Sequence, residues 1–417
     1  MSTPYADTDN QSHESTSSPL LAVLRAPAYL LLWTAQFAAL LAGFFNYVAI
    51  AWLALQLTGS SLVVGSLLAA AAIPMAVLML VGGAISDRFS PRSTMLAAGL
   101  ARGAVMAVIA ALALAHSVQV WNLYVAAVLV GATTAFFTPA SSALLPRLVR
   151  DEQLEAGNAL FNISATAATI LGPAAAGLLV AAVGAGSALA GDAGASIVSG
   201  LLPAFLPAAA REAGRRQGPG ALAAIAEGLR HVWADASLRA TILVLAALNF
   251  FLIGAIEVGL PLLARQRFSQ GAFALGTAFA AWGLGSTAGS IVAATRPKPK
   301  HMAAVLVAVV AVLGAGMAGA FLAPDLPVLV AVMVVVGLFE GVGTTYLISW
   351  MQRRTEMAMQ GRVMALGRLA MVGLEPLSLA LAGALAASHL GVLFWGAAGA
   401  VLLTAALAAA SPAVRRM

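Results

Sequence analysis

The chain has 417 residues, 61% of them hydrophobic and 9% charged, and its mean hydropathy is +0.94. A soluble domain carries about 25% charged residues, so this composition excludes a water-soluble fold. Cysteine is absent, which excludes disulfides, thiolate metal sites and cysteine nucleophiles; the net charge of +6 leaves nucleic-acid binding or membrane orientation to be decided by where the charges lie.

Residues 1–24 read as a polar cytosolic tail rich in Ser and Thr, not as a signal peptide. Twelve apolar runs follow, each near the roughly 20 residues that a spanning helix needs. Six of them, at 28–55, 62–85, 94–114, 120–144, 157–183 and 187–206, form a first half within residues 25–210. A basic linker, 211–236, leads to a second half, 237–417, with runs at 238–263, 273–295, 302–322, 327–351, 364–387 and 391–410. In the linker Ala221, Leu222, Ile225, Leu229 and Val232 recur at helical spacing opposite Glu227 and Arg230, the pattern of an amphipathic helix at a membrane surface. The expected fold is an all-α membrane protein: twelve transmembrane helices in two six-helix, pseudo-symmetric bundles.

Lys and Arg fix the orientation. Arg25, Arg88, Arg92, Arg147, Arg150, Arg215, Arg216, Arg296, Lys298, Lys300, Arg353 and Arg354 all fall in segments on one side, with only Arg265 and Arg267 on the other. By the positive-inside rule both termini are cytosolic. Topology therefore accounts for the net charge, and nucleic acid is not an expected partner.

The loop after span 2 reads Gly83-Ala-Ile-Ser-Asp87-Arg88-Phe-Ser-Pro-Arg92. An aspartate at a cytosolic helix end faces the positive N-terminus of a neighbouring helix, and the arginines pair with carboxylates or lipid phosphates. Span 5 carries Ile170-Leu-Gly172-Pro173-Ala-Ala-Ala-Gly177, in which the proline removes a backbone donor and the glycines permit close helix approach. Further on stand Glu227-Gly-Leu-Arg230, Gln352-Arg-Arg-Thr-Glu356, Gly361-Arg362 and Pro376. From span 1 to span 12 these motifs resemble the major facilitator superfamily, in particular its drug- and siderophore-efflux branch of macrolide and enterobactin exporters. Ser90 and Pro91 depart from the signature loop, and Ala168 replaces the earlier glycine of the span 5 element. The resemblance implies that Asp87, Arg88, Arg92, Gly172 and Pro173 take part in gating. It also implies that spans 1, 4, 7 and 10 line a central cavity.

Membrane-depth polar groups are the candidates for chemistry, because a charge at the bilayer centre costs at least about 2.5–3.5 kcal/mol. Glu257 and Glu340, on spans 7 and 10, are the first candidates for proton coupling, and Glu375 on span 11 is the second, with a structural pair to Arg368 as its rival role. Arg102 is expected as a charge partner, and Asp192 as a cap on span 6 or an interfacial group. Gln36, Phe45, Asn46, Thr134, Phe137, Asn249 and Thr344 are candidate substrate contacts, with Phe44, Phe136 and Phe250 as further aromatic wall. Asn249, Ile253 and Glu257 are spaced by four and are expected to share a face, as are Glu340 and Thr344.

No phosphate-binding loop is present, and the five histidines lack metal-ligand spacing. Gly283, Gly285 and Gly289 follow no strand and read as helix packing. The chain is therefore expected to be no enzyme, to hold no cofactor or metal, and to run on an ion gradient. The reading is an exporter of an amphiphilic organic compound (drug, siderophore or metabolite) by proton antiport with alternating access in a bacterial inner membrane. Its partners would be that small molecule, protons and membrane lipid. An importer or facilitator of the same fold, and a non-transporting sensor or assembly partner, are the alternatives.

Overall fold

The computed structural model describes residues 23–88, 90–150, 153–206, 221–297 and 299–417; within them the side chains of 79–88, 155, 221–226, 357, 358 and 361 lie outside the description. All but the last two residues of the predicted tail, the first part of the linker and the side chains of Asp87 and Arg88 thus fall outside the described residues.

The first half comprises α1 (Pro27–Thr58), α2 (Ser61–Arg88), α3 (Pro91–Leu114), α4 (Val120–Leu148), α5 (Leu154–Val183) and α6 (Ala185–Leu201), the last extended by a 3-10 turn, Leu202–Phe205. The linker helix α7 (Ala221–Ala234) follows. The second half comprises α8 (Ala236–Gly254), a π-turn (Ala255–Gly259), α9 (Leu260–Arg267), α10 (Ala272–Thr295), α11 (Met302–Leu322), α12 (Leu326–Arg354), α13 (Met357–Val372), α14 (Glu375–Ser388), α15 (Leu390–Ala410) and the short α16 (Pro412–Arg415). Spans 7 and 11 are each one span but two helices: α8 and α9 joined through the π-turn, and α13 and α14 meeting at Gly373 and Leu374.

Local chemistry sets these limits. Prolines open α1, α3 and α12, where the missing amide proton is one that no helix would use. Gly59, at φ 66°, ends α1 in the left-handed region. Asp235 accepts from the amides of Ser237 and Leu238 at 2.8 and 3.1 Å and starts α8, and Asp325 does the same for Val328 at 2.9 Å in α12.

Eleven helical segments among the described residues are long and apolar enough to cross a membrane. α10 has the length, 24 residues, but its Gly, Ser and Thr lower its apolarity. Those small residues serve packing. α10 lies between α5 and α12, and at Gly289 and Gly341 the two backbones of α10 and α12 come so close that any side chain would strike the facing carbonyl. The remaining major seams pair α3 with α6, α2 with α4, α1 with α6, and α11 with α15. The two halves meet along α5–α10 and α2–α14.

Candidate functional site

A cavity of about 480 Å³ lies between the halves. α1 contributes Gln36, Phe44 and Tyr47; α3 contributes Arg102; α4 contributes Thr134 and Phe137; α5 contributes Thr169 and Pro173. From the second half come Ile253, Ile256 and Glu257 of span 7 and Phe279 and Trp282 of α10. Its walls are mainly apolar and aromatic, with a few polar groups converging from opposite sides, as in pockets for amphiphilic ligands.

The first-half wall carries a buried ion pair. Arg102 makes a two-pronged contact with Asp192, Nε to Oδ1 at 3.2 Å and Nη2 to Oδ2 at 3.3 Å. Asp192 is fully buried and also accepts from Ser196 Oγ at 2.8 Å, while Arg102 reaches Thr134 Oγ1 at 3.4 Å. Asp192 is thus neither a helix cap nor an interfacial group. Its position near the end of an apolar run misleads, because the run pairs with α3, 90 residues earlier in sequence.

The second-half wall carries Glu257 on the π-turn. Tyr47 donates its hydroxyl proton to the Glu257 backbone carbonyl at 2.9 Å and packs edge-on against Phe279. Glu375 opens α14, which packs beside this turn, and lines neither this cavity nor the smaller one described below. Among the described residues it makes no ion pair with Arg368. The break at Gly373 and Leu374 ends α13 before Glu375, so helical spacing does not carry from Arg368 to it.

A second, smaller chamber of about 210 Å³ lies within the second half, lined by Asn249, Glu340 and Thr344 among Leu, Val and Met side chains. Ile253, Ile256 and Trp282 belong to both chambers and form the partition. Ser286 and Trp282 lie beside the Glu340 carboxyl. The indole Nε1 of Trp282 and Oδ1 of Asn249 are buried with no hydrogen-bond partner. Glu340 and Thr344 share a face, whereas Asn249 and Glu257 open into different chambers. The chain climbs about 1.5 Å per residue from Asn249 and enters the π-turn before residue 257, so regular α spacing does not carry from Asn249 to Glu257.

Other sequence candidates stand elsewhere. Phe45 turns toward Gly191 on α6, and Asn46 donates to Met106 Sδ on α3 at 3.4 Å, because neighbouring helix positions differ by about 100° from the cavity-facing Phe44 and Tyr47. Phe136 packs in the first-half core and Phe250 against Phe251. Gly172 receives the Phe44 ring rather than a helix backbone, and Gly177 meets Gly276 of α10. Arg92 binds the carbonyls of Ala204 and Leu206, closing the end of span 6. Tyr47, Trp282, Phe279 and Thr169 were not among the sequence candidates. A search for rings with polar tips within apolar runs, Tyr and Trp rather than Phe, finds the first two.

Three hydrogen bonds tie the halves together among the described residues: Tyr47 to the Glu257 carbonyl, Ser61 Oγ to the Gly383 carbonyl at 3.2 Å, and Arg265 to the Leu55 carbonyl. The last two lie at the end of the bundle that carries the α1–α2 and α9–α10 turns, where the Trp52 ring also packs on Gly271.

Residues 32–374 match the Major Facilitator Superfamily profile. The chain belongs to that superfamily. It is 29% identical over 414 residues to the multidrug efflux pump Tap of Mycolicibacterium fortuitum, covering 94% of this chain and 97% of the relative. To the multidrug efflux pump Tap of Mycobacterium tuberculosis it is 30% identical over 408 residues, covering 94% and 95%. Among solved structures, the nucleoside transporter NupG (a mutant form) superposes with a TM-score of 0.71 at 13% identity, over 92% of this chain and 99% of that one. A peptide transporter POT mutant in complex with alafosfalin gives 0.72 at 15% identity, over 93% and 95%. The fold is therefore that of the superfamily, and the protein is a multi-pass membrane transport protein rather than an enzyme.

Proposed function

We propose that this transporter exports an amphiphilic organic compound from a bacterial cytoplasm in exchange for protons, by alternating access. The observation that carries this reading is Glu257: a carboxylate on a broken helix, facing a chamber built by both halves and walled by Phe44, Tyr47, Phe137, Phe279 and Trp282. Apolar and aromatic walls suit an amphiphile, and the relatives named as multidrug efflux pumps favour export.

With both termini cytosolic, the end that carries the Ser61 and Arg265 bonds is the external one, and among the described residues no hydrogen bond joins the halves at the cytosolic end, in keeping with an inward-facing state. A carboxylate that is dry in one state and wet in the other changes its proton affinity between them, which is what coupling requires. Gln36, Thr134 and Phe137 serve as substrate contacts on the first half, with Arg102 held by Asp192 as their charged neighbour; Glu340 in its separate chamber and Glu375 beside the π-turn are the further acidic groups of the path.

The test is transport in proteoliposomes under an imposed pH gradient, with a fluorescent amphiphilic dye as cargo. Glu257→Gln retains dye binding and loses uphill transport by about a hundred-fold or more, the scale of a missing proton-transfer group. A Glu257→Gln protein that still concentrates dye at the normal proton ratio overturns the assignment.

A further inference from the structure

The π-turn of span 7 begins where a side chain from span 11 meets the helix backbone. Ser378 of α14 is buried. Its hydroxyl donates to the Phe250 carbonyl and accepts from the Gly254 amide at 3.2 Å. In an unbroken α-helix the Gly254 amide bonds to the Phe250 carbonyl, four residues back. The hydroxyl therefore sits on the very pair that regular helix geometry would join. The helix ends at Gly254, and the next five residues, Ala255–Gly259, form the π-turn that carries Glu257. Side chains that insert into the hydrogen-bond ladder are a known cause of such breaks.

The approach of α14 is made possible by Gly254 itself. A methyl group there would lie 2.5 Å from the Ala382 Cβ and 2.9 Å from the Ser378 carbonyl oxygen. The far side of the turn is held from the other half, by the Tyr47 hydroxyl on the Glu257 carbonyl. The turn is thus gripped from two helices, one in each half.

We propose that Ser378 is a positioning residue: its hydroxyl holds the π-turn that aims the residue 257 side chain into the central cavity. This rests on the reading of Glu257 as the coupling group only for its consequence, not for its geometry. A π-turn holds about one residue more than an α-turn, so its collapse into α geometry re-aims the side chains on it and beyond by up to about 100°. Withdrawal of Ser378 when α14 moves against α8 would then turn Glu257 out of the cavity, linking the motion of span 11 to the exposure of the carboxylate.

The absence of native cysteine makes the aim of residue 257 directly readable. In Glu257→Cys protein, the rate of reaction with a small charged methanethiosulfonate reagent reports access from the cavity, normalised to the rate at Thr133→Cys, which also lines it. Adding Ser378→Ala lowers the normalised rate by about five-fold or more, and Ser378→Thr, which keeps the hydroxyl, stays within about two-fold of the parent. Gly254→Ala, which pushes α14 away by a separate route, gives the same loss. Unfolding exposes both cysteines and raises labelling, so it does not mimic the expected fall. Equal normalised rates with and without the Ser378 hydroxyl overturn the proposal. Because labelling requires no transport, that result leaves the role of Glu257 to the Gln variant, and a failed Gln test leaves the positioning result standing.

Discussion

The two halves handle buried polarity in opposite ways. In the first, Arg102 and Asp192 neutralise each other, and Ser196 and Thr134 take up further hydrogen-bonding capacity. In the second, Glu340 shares a chamber with Asn249, whose buried Oδ1 has no partner, and lies beside Trp282, whose buried Nε1 has none either. A closed pair is a fixed element: both charges are needed for either to be tolerated. The neighbours of Glu340 are neutral, so its carboxyl lies among the described residues without a counter-ion. The contrast sets a paired buried charge between α3 and α6 against buried carboxyls on spans 7 and 10 that make no ion pair among the described residues.

The largest effect should come from breaking the closed pair on one side only. Asp192→Ala leaves a buried guanidinium uncompensated and should destabilise the fold by about 3–5 kcal/mol, read as loss of the monodisperse peak in detergent and a lower thermal midpoint. Arg102→Met with Asp192→Leu should recover most of that loss. If the double variant is as unstable as the single one, the pair is not the isolated closed unit described here.

Next in size is the seam that carries Trp282 and Glu340. Gly289→Val forces α10 away from the Leu338 carbonyl of α12 and should cost about 1–3 kcal/mol. Tryptophan fluorescence should shift, and the labelling rate at Thr133→Cys should stay put. A change at Thr133 as large as at Trp282 would show the two chambers to be one mechanical unit.

Glu340→Gln tests the carboxyl without a counter-ion. It removes a titrating group without leaving a charge stranded, so the thermal midpoint should move by no more than about 1 kcal/mol equivalent. A loss as large as that of Asp192→Ala would mean that Glu340 is locked in a pair after all.

The smallest effect concerns an exposed pair, the third regime. The linker helix α7 is held against α13 by Glu227 and Arg362 at 2.7 Å, and Asp235 at its end meets Arg354 at 2.7 Å. Burial pushes the Asp235 carboxyl up, but the Arg354 hydrogen bond and charge, with the Leu238 and Ser237 amides, outweigh it and hold the carboxyl below its ordinary value. The stabilisation is therefore fully present above about pH 4, the unfolded value, and is lost as pH falls through the lower folded one. Hydrogen exchange in α7 and the start of α8 should be flat between about pH 5 and 8 after correction for intrinsic rates, and rise at more acid pH. Arg354→Gln should raise exchange at neutral pH by only about two-fold, since exposed pairs contribute about 0.2–1 kcal/mol.

The spans were legible because bilayer thickness fixes their length and composition, and eleven of them pass that test in the structure. α10 was legible as a run but owes its composition to two flanking helices, which apolarity does not register. Site residues were legible where the helix is regular: Gln36, Thr134 and Phe137 line one cavity, and Glu340 and Thr344 the other. On the equally regular α1, Phe45 and Asn46 meet α6 and α3 instead, because spacing does not say which face meets the cavity; periodicity itself failed where the helix is irregular. The π-turn at Ala255–Gly259 has no signal of its own in sequence, because the hydroxyl that meets its first turn comes from Ser378, more than a hundred residues beyond; the break before Glu375 is marked by Gly373 and Pro376, which the spacing argument from Arg368 passed over. Asp192 was misread for the same reason: its partner is distant in sequence, and position within a run says nothing of who stands opposite.

The Tyr47 bond has one consequence of its own. It clasps the main chain at residue 257 and ignores the side chain. Every amino acid offers a backbone carbonyl at that point, and every one but proline also keeps the amide that the turn uses. The clasp between the halves and the chemistry displayed at that point are thus separately heritable: lineages are free to exchange the carboxylate for an amide, a hydroxyl or an alkyl group while the clasp stays fastened.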